Sequence, residues 1–507
     1  MPNEVLEHIF GCLDGRTLIT MTETCVKFKL IIELHPKLFD GIWWTLSVRQ
    51  ETDEEIIEAL KLVRESNRRY KKVCIRYIKS SWFDDPIFVD VLEHFGQTVT
   101  VLATDSIKFK TRKDFVDTLR LFPHLRRLQL KHIEIEDENN AKTEWLDETV
   151  DLPHLKDLYL VEYYPWLLDV LSPCVHVNKL ESYIVKWLEE DIHPVENFLF
   201  RQKSLKRLNL GIFRRCRMFP VDRSHEVQFQ LDELLLNGAN FVCKEILLKF
   251  IKTQPRLKMM QINLLNESER KLDELLFYND IVQFILIKLP ELTSLMVTQD
   301  RFKFPDLNFI RCLPPNEKIT KLDIQGIAVD TFTALVTHIL PNIKILKYQT
   351  NHLHCNSVPL PETINLMTNL ESVHLELFFV QHLRVFQLPK LKKFDFTARE
   401  IGVDMKKAFR IFFERHQSLT ELRIGVFCFI EHNYITHETC EDIVNNLTSL
   451  ESLNVQNFHD PDSQVCYLVN NAKCLKHLRL STNQFKKLSP ATLDECSLNK
   501  ICVEIGK

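Results

Sequence analysis

The side chains best placed for chemistry in this sequence fall into three small groups. His352, His354 and Cys355 bring two imidazoles and a thiol within four residues. That is a donor set for zinc, but a closed tetrahedral site needs a fourth ligand, which the sequence does not supply. Loop residues without a metal are the plainer reading. Arg214, Arg215 and Arg217 form a basic knot, and Glu134, Glu136, Asp137 and Glu138 open an acidic loop running to about Asp151. Each suits a solvated surface, or a partner of opposite charge. There is no glycine-rich phosphate loop, no G-x-S-x-G and no H-E-x-x-H. The chain reads as non-catalytic, and neither a cofactor nor a metal is expected.

The bulk numbers agree with an ordinary soluble chain. Of 507 residues, 45% are hydrophobic and 26% charged, with 65 basic and 69 acidic side chains giving a net charge of −4. A balance so near zero leaves no electrostatic footprint for nucleic acid or an anionic membrane. The 14 cysteines are scattered without a C-x-x-C pair. With Glu4 and Glu7 and no basic residue at the start, no secretory signal is read, and a reducing compartment, cytoplasmic or nuclear, is expected. No apolar run approaches the ~20 residues that span a bilayer.

What positions these groups is a repeated hexad. Leu125-Arg126-Arg127-Leu128-Gln129-Leu130 reads L-x-x-L-x-L. Further hexads begin at Leu155, Leu180, Leu205, Leu231, Leu257, Leu292, Ile319, Ile343, Leu370, Leu391, Leu419, Leu450, Leu475 and Leu498. The period is roughly 27 residues, inside the ~20–29 of leucine-rich repeats, and the chain resembles that family. Helical stretches such as 243–251 and 441–447 lie between hexads. Pro123, Pro153, Pro290, Pro341 and Pro389 stop helices just before strands begin. The expected fold is an α/β solenoid over residues 111–507, with parallel strands on the concave side and helices on the convex side. Three positions beyond the hexad, the family often carries Asn or Cys. Asn351 and Asn483 fit, whereas Ile133, Tyr163 and Phe213 do not, so irregular turns are expected.

Before the clear repeats, residues 45–110 read as linking helices and degenerate first repeats. Thr52-Asp53-Glu54-Glu55 has capping-box form ahead of Ile56, Ile57, Leu60 and Val63. Tyr70–Ile75 and Val99–Leu102 are weak hexads. Residues 1–44 differ again, carrying apolar residues at helical spacing in three short helices. Met1-Pro2-Asn3-Glu4-Val5-Leu6-Glu7-His8-Ile9-Phe10, with Leu13, Leu18, Cys25 and Trp43-Trp44, resembles an F-box. Met1 stands where that family usually has leucine, and Phe28 where tryptophan is common. The resemblance implies a three-helix module that docks on the Skp-type adaptor of a cullin ubiquitin ligase. It nominates Pro2, Leu6, Ile9, Phe10, Leu13, Leu18 and Cys25 as adaptor contacts. A plain N-terminal cap for the solenoid is the competing reading.

Strand alternation suggests where a protein substrate binds. If the hexad leucines point inward, the residue before the last of them faces out. That series includes Tyr159, Ile184, Leu235 and Met296, with Met259 two residues before Gln261, and turns polar toward the C-terminus. The apolar members are the expected substrate contacts. Taken together, the resemblances imply the substrate-recognition subunit of an SCF-type ubiquitin ligase, with no nucleic-acid or membrane partner. The alternatives are an intracellular leucine-rich scaffold or inhibitor without a ubiquitin role, and a GTPase-activating solenoid whose catalytic residue cannot be singled out.

Overall fold

A computed structural model describes residues 6–7, 9–10, 13, 15–35, 38, 40, 42–49, 52–65, 69–136, 149–164, 166–184, 193–212, 227–237, 244–264, 284–299, 313–325, 329–349, 360–400, 405–426 and 434–506. The chain divides into two compact units, Met1–Leu257 and Lys258–Lys507. The first holds strands β1 (Trp43–Ser47), β2 (Lys72–Arg76), β3 (Val101–Phe109), β4 (Arg127–Ile135), β5 (Asp157–Val161), β6 (Lys179–Ile184), β7 (Arg207–Ile212) and β8 (Glu233–Asn237). Each pairs in parallel with the next. The second holds β9 (Met259–Leu264), β10 (Ser294–Gln299), β11 (Lys321–Gln325), β12 (Ile345–Gln349), β13 (Ser372–Phe379), β14 (Lys393–Glu400), β15 (Glu421–Val426), β16 (Ser452–Val455), β17 (His477–Ser481) and β18 (Cys502–Gly506), again parallel and in chain order. One strand per hexad, stacked in sequence, is a leucine-rich-repeat architecture.

The hexad dictates this because its apolar residues form inward columns. Leu125, Leu128 and Leu130 are buried, as are Leu155, Leu158 and Leu160 beside them. Helices between strands close the core from the other side. Phe115 and Leu119 of the helix Arg112–Arg120 share one small void with Leu102 and Leu130. Backbone hydrogen bonds stitch the repeats at one recurrent point. The Thr100 carbonyl accepts from the amides of Arg126 and Arg127 at 2.8 and 3.0 Å, and the Arg126 carbonyl accepts from Lys156 and Asp157 at the same distances. The series continues to Lys206 in the first unit and runs from Lys258 to Glu451 in the second.

Two hexads are out of register with their expected starts. Leu180 pairs with Leu158 and Leu208, so it occupies the second hexad position and buried Val177 the first. The third position is Ser182, buried, with its hydroxyl 2.7 Å from Tyr163 Oη. A leucine there would collide with the tyrosine ring that reaches across. Tyr163→Phe should cost about 1–2 kcal/mol in urea denaturation, the scale of one buried side-chain hydrogen bond. Leu498 begins no hexad. It closes the helix Pro490–Leu498 with 75% of its surface exposed, and Val503 pairs with Leu478 instead.

The parallel series also starts earlier than the first clear hexad. β1 straddles residues 44 and 45, and Trp44 packs on Phe95 with ring centroids 4.9 Å apart. The helix Asp53–Glu65 follows its capping box, Thr52 Oγ1 accepting from the Glu55 amide at 3.4 Å and the Glu55 carboxylate from the Thr52 amide at 2.9 Å. Irregular turns are present as expected, and they repeat. Tyr77, Ser106, His132 and Glu162 all have φ between 49° and 58°, an uncommon backbone for non-glycine residues. The left-handed residue swings the next side chain inward. Ile78, Ile107, Ile133 and Tyr163 then form a buried column where an asparagine ladder was the alternative.

Phenylalanine takes hexad positions in the second unit. Phe394 and Phe396 are buried on β14, and the Phe412 ring packs tilted against Phe394 with centroids 4.5 Å apart. Three buried polar residues stand three positions ahead of a hexad, where the others are mostly apolar. Gln202 accepts from the Val177 amide at 3.1 Å and donates to the carbonyls of Cys174 and Phe198 at 2.9 and 3.2 Å. Gln254 accepts from the Leu231 amide at 2.8 Å. His416 Nε2 accepts from the Leu388 amide at 3.1 Å, and its Nδ1–H donates to the Phe412 carbonyl at 2.7 Å. Each ties its helix to the turn of the preceding repeat.

Candidate functional site

The opening helices sort the F-box-like residues into two groups. Leu6, Phe10 and Leu18 are buried and hold the module together, with Phe10 meeting Phe28 edge-on at 5.3 Å. Phe28 thus keeps the aromatic contact without an indole. Ile9 is 41% exposed, Leu13 is half-buried, and Pro2 lies outside the described residues. Cys25 is exposed and caps the helix Val26–Leu34, its sulfur accepting from the Phe28 amide at 3.4 Å. On that helix Val26 and Leu30 are 74% and 53% exposed, one turn apart on a single face. Sequence reasoning passed over both. Their signal was an apolar pair at i, i+4 beside Ile31 and Ile32, which carry the buried face.

On the first unit, the outward row of the sheet reads Cys74, Ala103, Gln129, Tyr159, Glu181, Asn209 and Leu235. This corrects the place of Ile184. The register shift puts Glu181 beside Tyr159, while Ile184 pairs with Ile212 at the far end of β6. Leu235 stands in the row as expected but is only 6% exposed, so it offers little surface to a partner. Tyr159 is half-buried, and burial together with the Glu181 charge raises its phenol. The apolar run expected here is therefore interrupted by an acid and an amide. Around it, charges pair across strands. Arg127 forks onto Asp157 at 2.8 and 3.1 Å, and Arg207 meets Glu181 at 3.8 Å and Glu233 at 3.2 Å, while Lys179 meets Glu181 at 2.7 Å within β6. His132 lies between Asp105 and Glu162 at 3.0 and 2.8 Å. Burial pushes the Asp105 carboxyl up, but hydrogen bonds from His132 and Ser106 and the Lys131 charge outweigh it and leave it low.

On the second unit, the outward row runs Gln261, Met296, Asp323, Lys347, His374, Asp395, Arg423, Asn454, Arg479 and Glu504. Met259 and Met296 are half-buried on neighbouring strands and leave the same face. The turn from apolar to charged follows the expected order. His374 sits between Glu376 and Asp395 at 2.6 and 2.7 Å, and Asp395 also meets Arg423 at 3.3 Å. Burial lowers the His374 imidazole, yet the two carboxylates win and raise it. Burial raises the Asp323 carboxyl, against the opposing Lys347 charge. The arrangement presents fixed, paired charges on a rigid surface, suited to recognising a polar partner. His352, His354 and Cys355, the Arg214–Arg217 knot and residues 137–148 of the acidic loop lie outside the described residues. Among the described residues no helix is long and apolar enough to cross a membrane.

No protein-family model matches the chain, and no curated protein matches it. Among solved structures it is similar to the leucine-rich repeat-containing protein LegL7 of Legionella pneumophila, at 13% identity over 68% of this chain and 97% of that one, with a TM-score of 0.36. It is also similar to an internalin of Listeria monocytogenes, at 14% identity over 84% of this chain and 92% of that one, with a TM-score of 0.27. Both likenesses are distant. The repeat architecture rests on the strand register given above.

Proposed function

We propose that this chain is the substrate-recognition subunit of an SCF-type cullin ubiquitin ligase, acting in the cytoplasm or nucleus. Its repeats serve as a protein-binding scaffold. Its opening helices dock on a Skp-type adaptor, and the outward sheet faces hold a protein substrate for ubiquitin-dependent degradation. The observation that carries this reading is the exposed apolar set Ile9, Val26 and Leu30 on helices whose Leu6, Phe10 and Leu18 are already packed. A solenoid cap needs a polar outer face; an adaptor-docking module needs an apolar one. The chain itself makes or breaks no bond in this scheme. It acts by effective concentration, holding substrate near a charged conjugating enzyme.

Val26→Asp with Leu30→Asp is expected to weaken capture of a purified Skp-type adaptor by more than about tenfold, the scale of losing a hot spot. Both side chains are exposed, so the unfolding free energy should stay within about 0.5 kcal/mol of wild type. Failure of the wild-type chain to bind the adaptor would return the reading to a scaffold or inhibitor without a ubiquitin role.

A further inference from the structure

His477 on β17 and Cys502 on β18 are direct partners across the two strands, and Glu504 follows Cys502 by two residues. All three side chains therefore leave the same face of the sheet. One imidazole nitrogen, the thiol sulfur and one carboxylate oxygen lie within 4.8 Å of one another, and solvent reaches each residue. The Glu504 carboxylate is divided between two neighbours. Its Oε2 accepts from Arg479, with Nε at 3.1 Å and a second bond from the same guanidinium. Its Oε1 faces His477 Nδ1 at 3.9 Å. Arg479 thus fixes the carboxylate plane from Oε2 while leaving Oε1 turned toward His477.

We propose that His477, Cys502 and Glu504 bind Zn2+ as a three-ligand site, with water in the fourth position. Nitrogen, sulfur and oxygen donors together suit zinc, whereas magnesium and calcium take oxygen donors alone. With metal–ligand bonds of about 2.0–2.3 Å, tetrahedral donors stand about 3.5 Å apart. Exposed side chains reach that spacing by torsion while the paired strands hold the backbone still. On binding, Cys502 releases its proton to solvent and the imidazole binds neutral. Thiolate and carboxylate then balance the two charges of the ion. Arg479 acts as a positioning residue, holding the carboxylate from the far oxygen.

The test uses the metal-free full-length chain titrated with Zn2+ against a chromophoric chelator, and with Co2+ as a spectroscopic probe. One equivalent should bind with a thiolate-to-cobalt charge-transfer band. Cys502→Ser should abolish that band. His477→Gln and Glu504→Gln should each weaken binding by roughly tenfold to a hundredfold or more, since even second-shell losses reach that scale. All three positions are solvent-reached, so circular dichroism should be unchanged. Two outcomes overturn the proposal: an undiminished band in Cys502→Ser, or wild-type affinity in both His477→Gln and Glu504→Gln, which leaves a thiol acting alone.

Discussion

Gly96→Ala is expected to destabilise the first unit by about 3 kcal/mol, the upper end of what overpacking costs. Gly96 ends the helix Pro86–Gly96, and a Cβ there would lie 2.0 Å from the Leu121 carbonyl oxygen and 3.0 Å from its carbon. Both atoms are backbone, so no side-chain rotation relieves the clash. The Leu121 turn is held by backbone hydrogen bonds, the Leu121 amide donating to the Thr118 carbonyl and the Phe122 amide to the Leu119 carbonyl. The helix is held by Phe95, whose ring meets Trp44 and Tyr70 at 4.9 and 5.6 Å. Relief therefore requires moving one repeat against its neighbour, which opens the buried column between them. Gly425 provides the control. A Cβ at that position would meet Gln456 Oε1 at 2.9 Å and Thr397 Oγ1 at 3.1 Å, both side-chain atoms able to turn away. Gly425→Ala should cost less than about 1 kcal/mol. Equal urea midpoints for the two variants would defeat the argument.

That contrast marks what the sequence could disclose. Inward columns were legible because buried strand residues must be apolar at fixed spacing, and Leu125, Leu128 and Leu130 obey without exception. Register at β6 was not. Leu180, Tyr183 and Val185 satisfy the hexad spelling, while the true set of Val177, Leu180 and Ser182 ends in a hydroxyl whose reason, Tyr163, lies on the preceding repeat. Composition also cannot say which face of a short helix is covered. Val26 and Leu30 are as apolar as their buried neighbours Ile31 and Ile32, and placement alone leaves them exposed. The chain of doubly accepting carbonyls from Lys71 to Lys206 involves only backbone, so no residue type announces it. The same holds for the close approach at Gly96, since a helix-ending glycine is ordinary by itself.

Substitution at His416 separates a polar tether from the apolar plug that other repeats use in its place. Phe122, Leu152 and Leu289 fill the equivalent position and are buried. His416→Leu keeps the volume but strips the Leu388 amide of its acceptor in a buried setting, so a loss of about 2–3 kcal/mol is expected at neutral pH. His416→Gln should lose much less, because Gln202 already performs the same work with a carbonyl accepting and an amide donating to the residue four before it. The two variants also differ in acid. Burial lowers the His416 imidazole, and protonation would turn the Nε2 acceptor into a donor facing the Leu388 amide. The unfolded chain takes up that proton near the ordinary value of about 6.5 and the folded chain resists it. The contribution of His416 is thus complete above that range and is lost as pH falls through it. His374 works the other way. Its raised imidazole adds stability below about 6.5 that disappears as pH rises through its folded value. The wild-type profile mixes both, and His416→Gln removes one. Relative to wild type, this variant should gain stability steadily as pH falls from 7 to 5 while His374 titrates unchanged. A constant difference between the two proteins across that range would mean that burial does not hold the imidazole neutral in the folded chain.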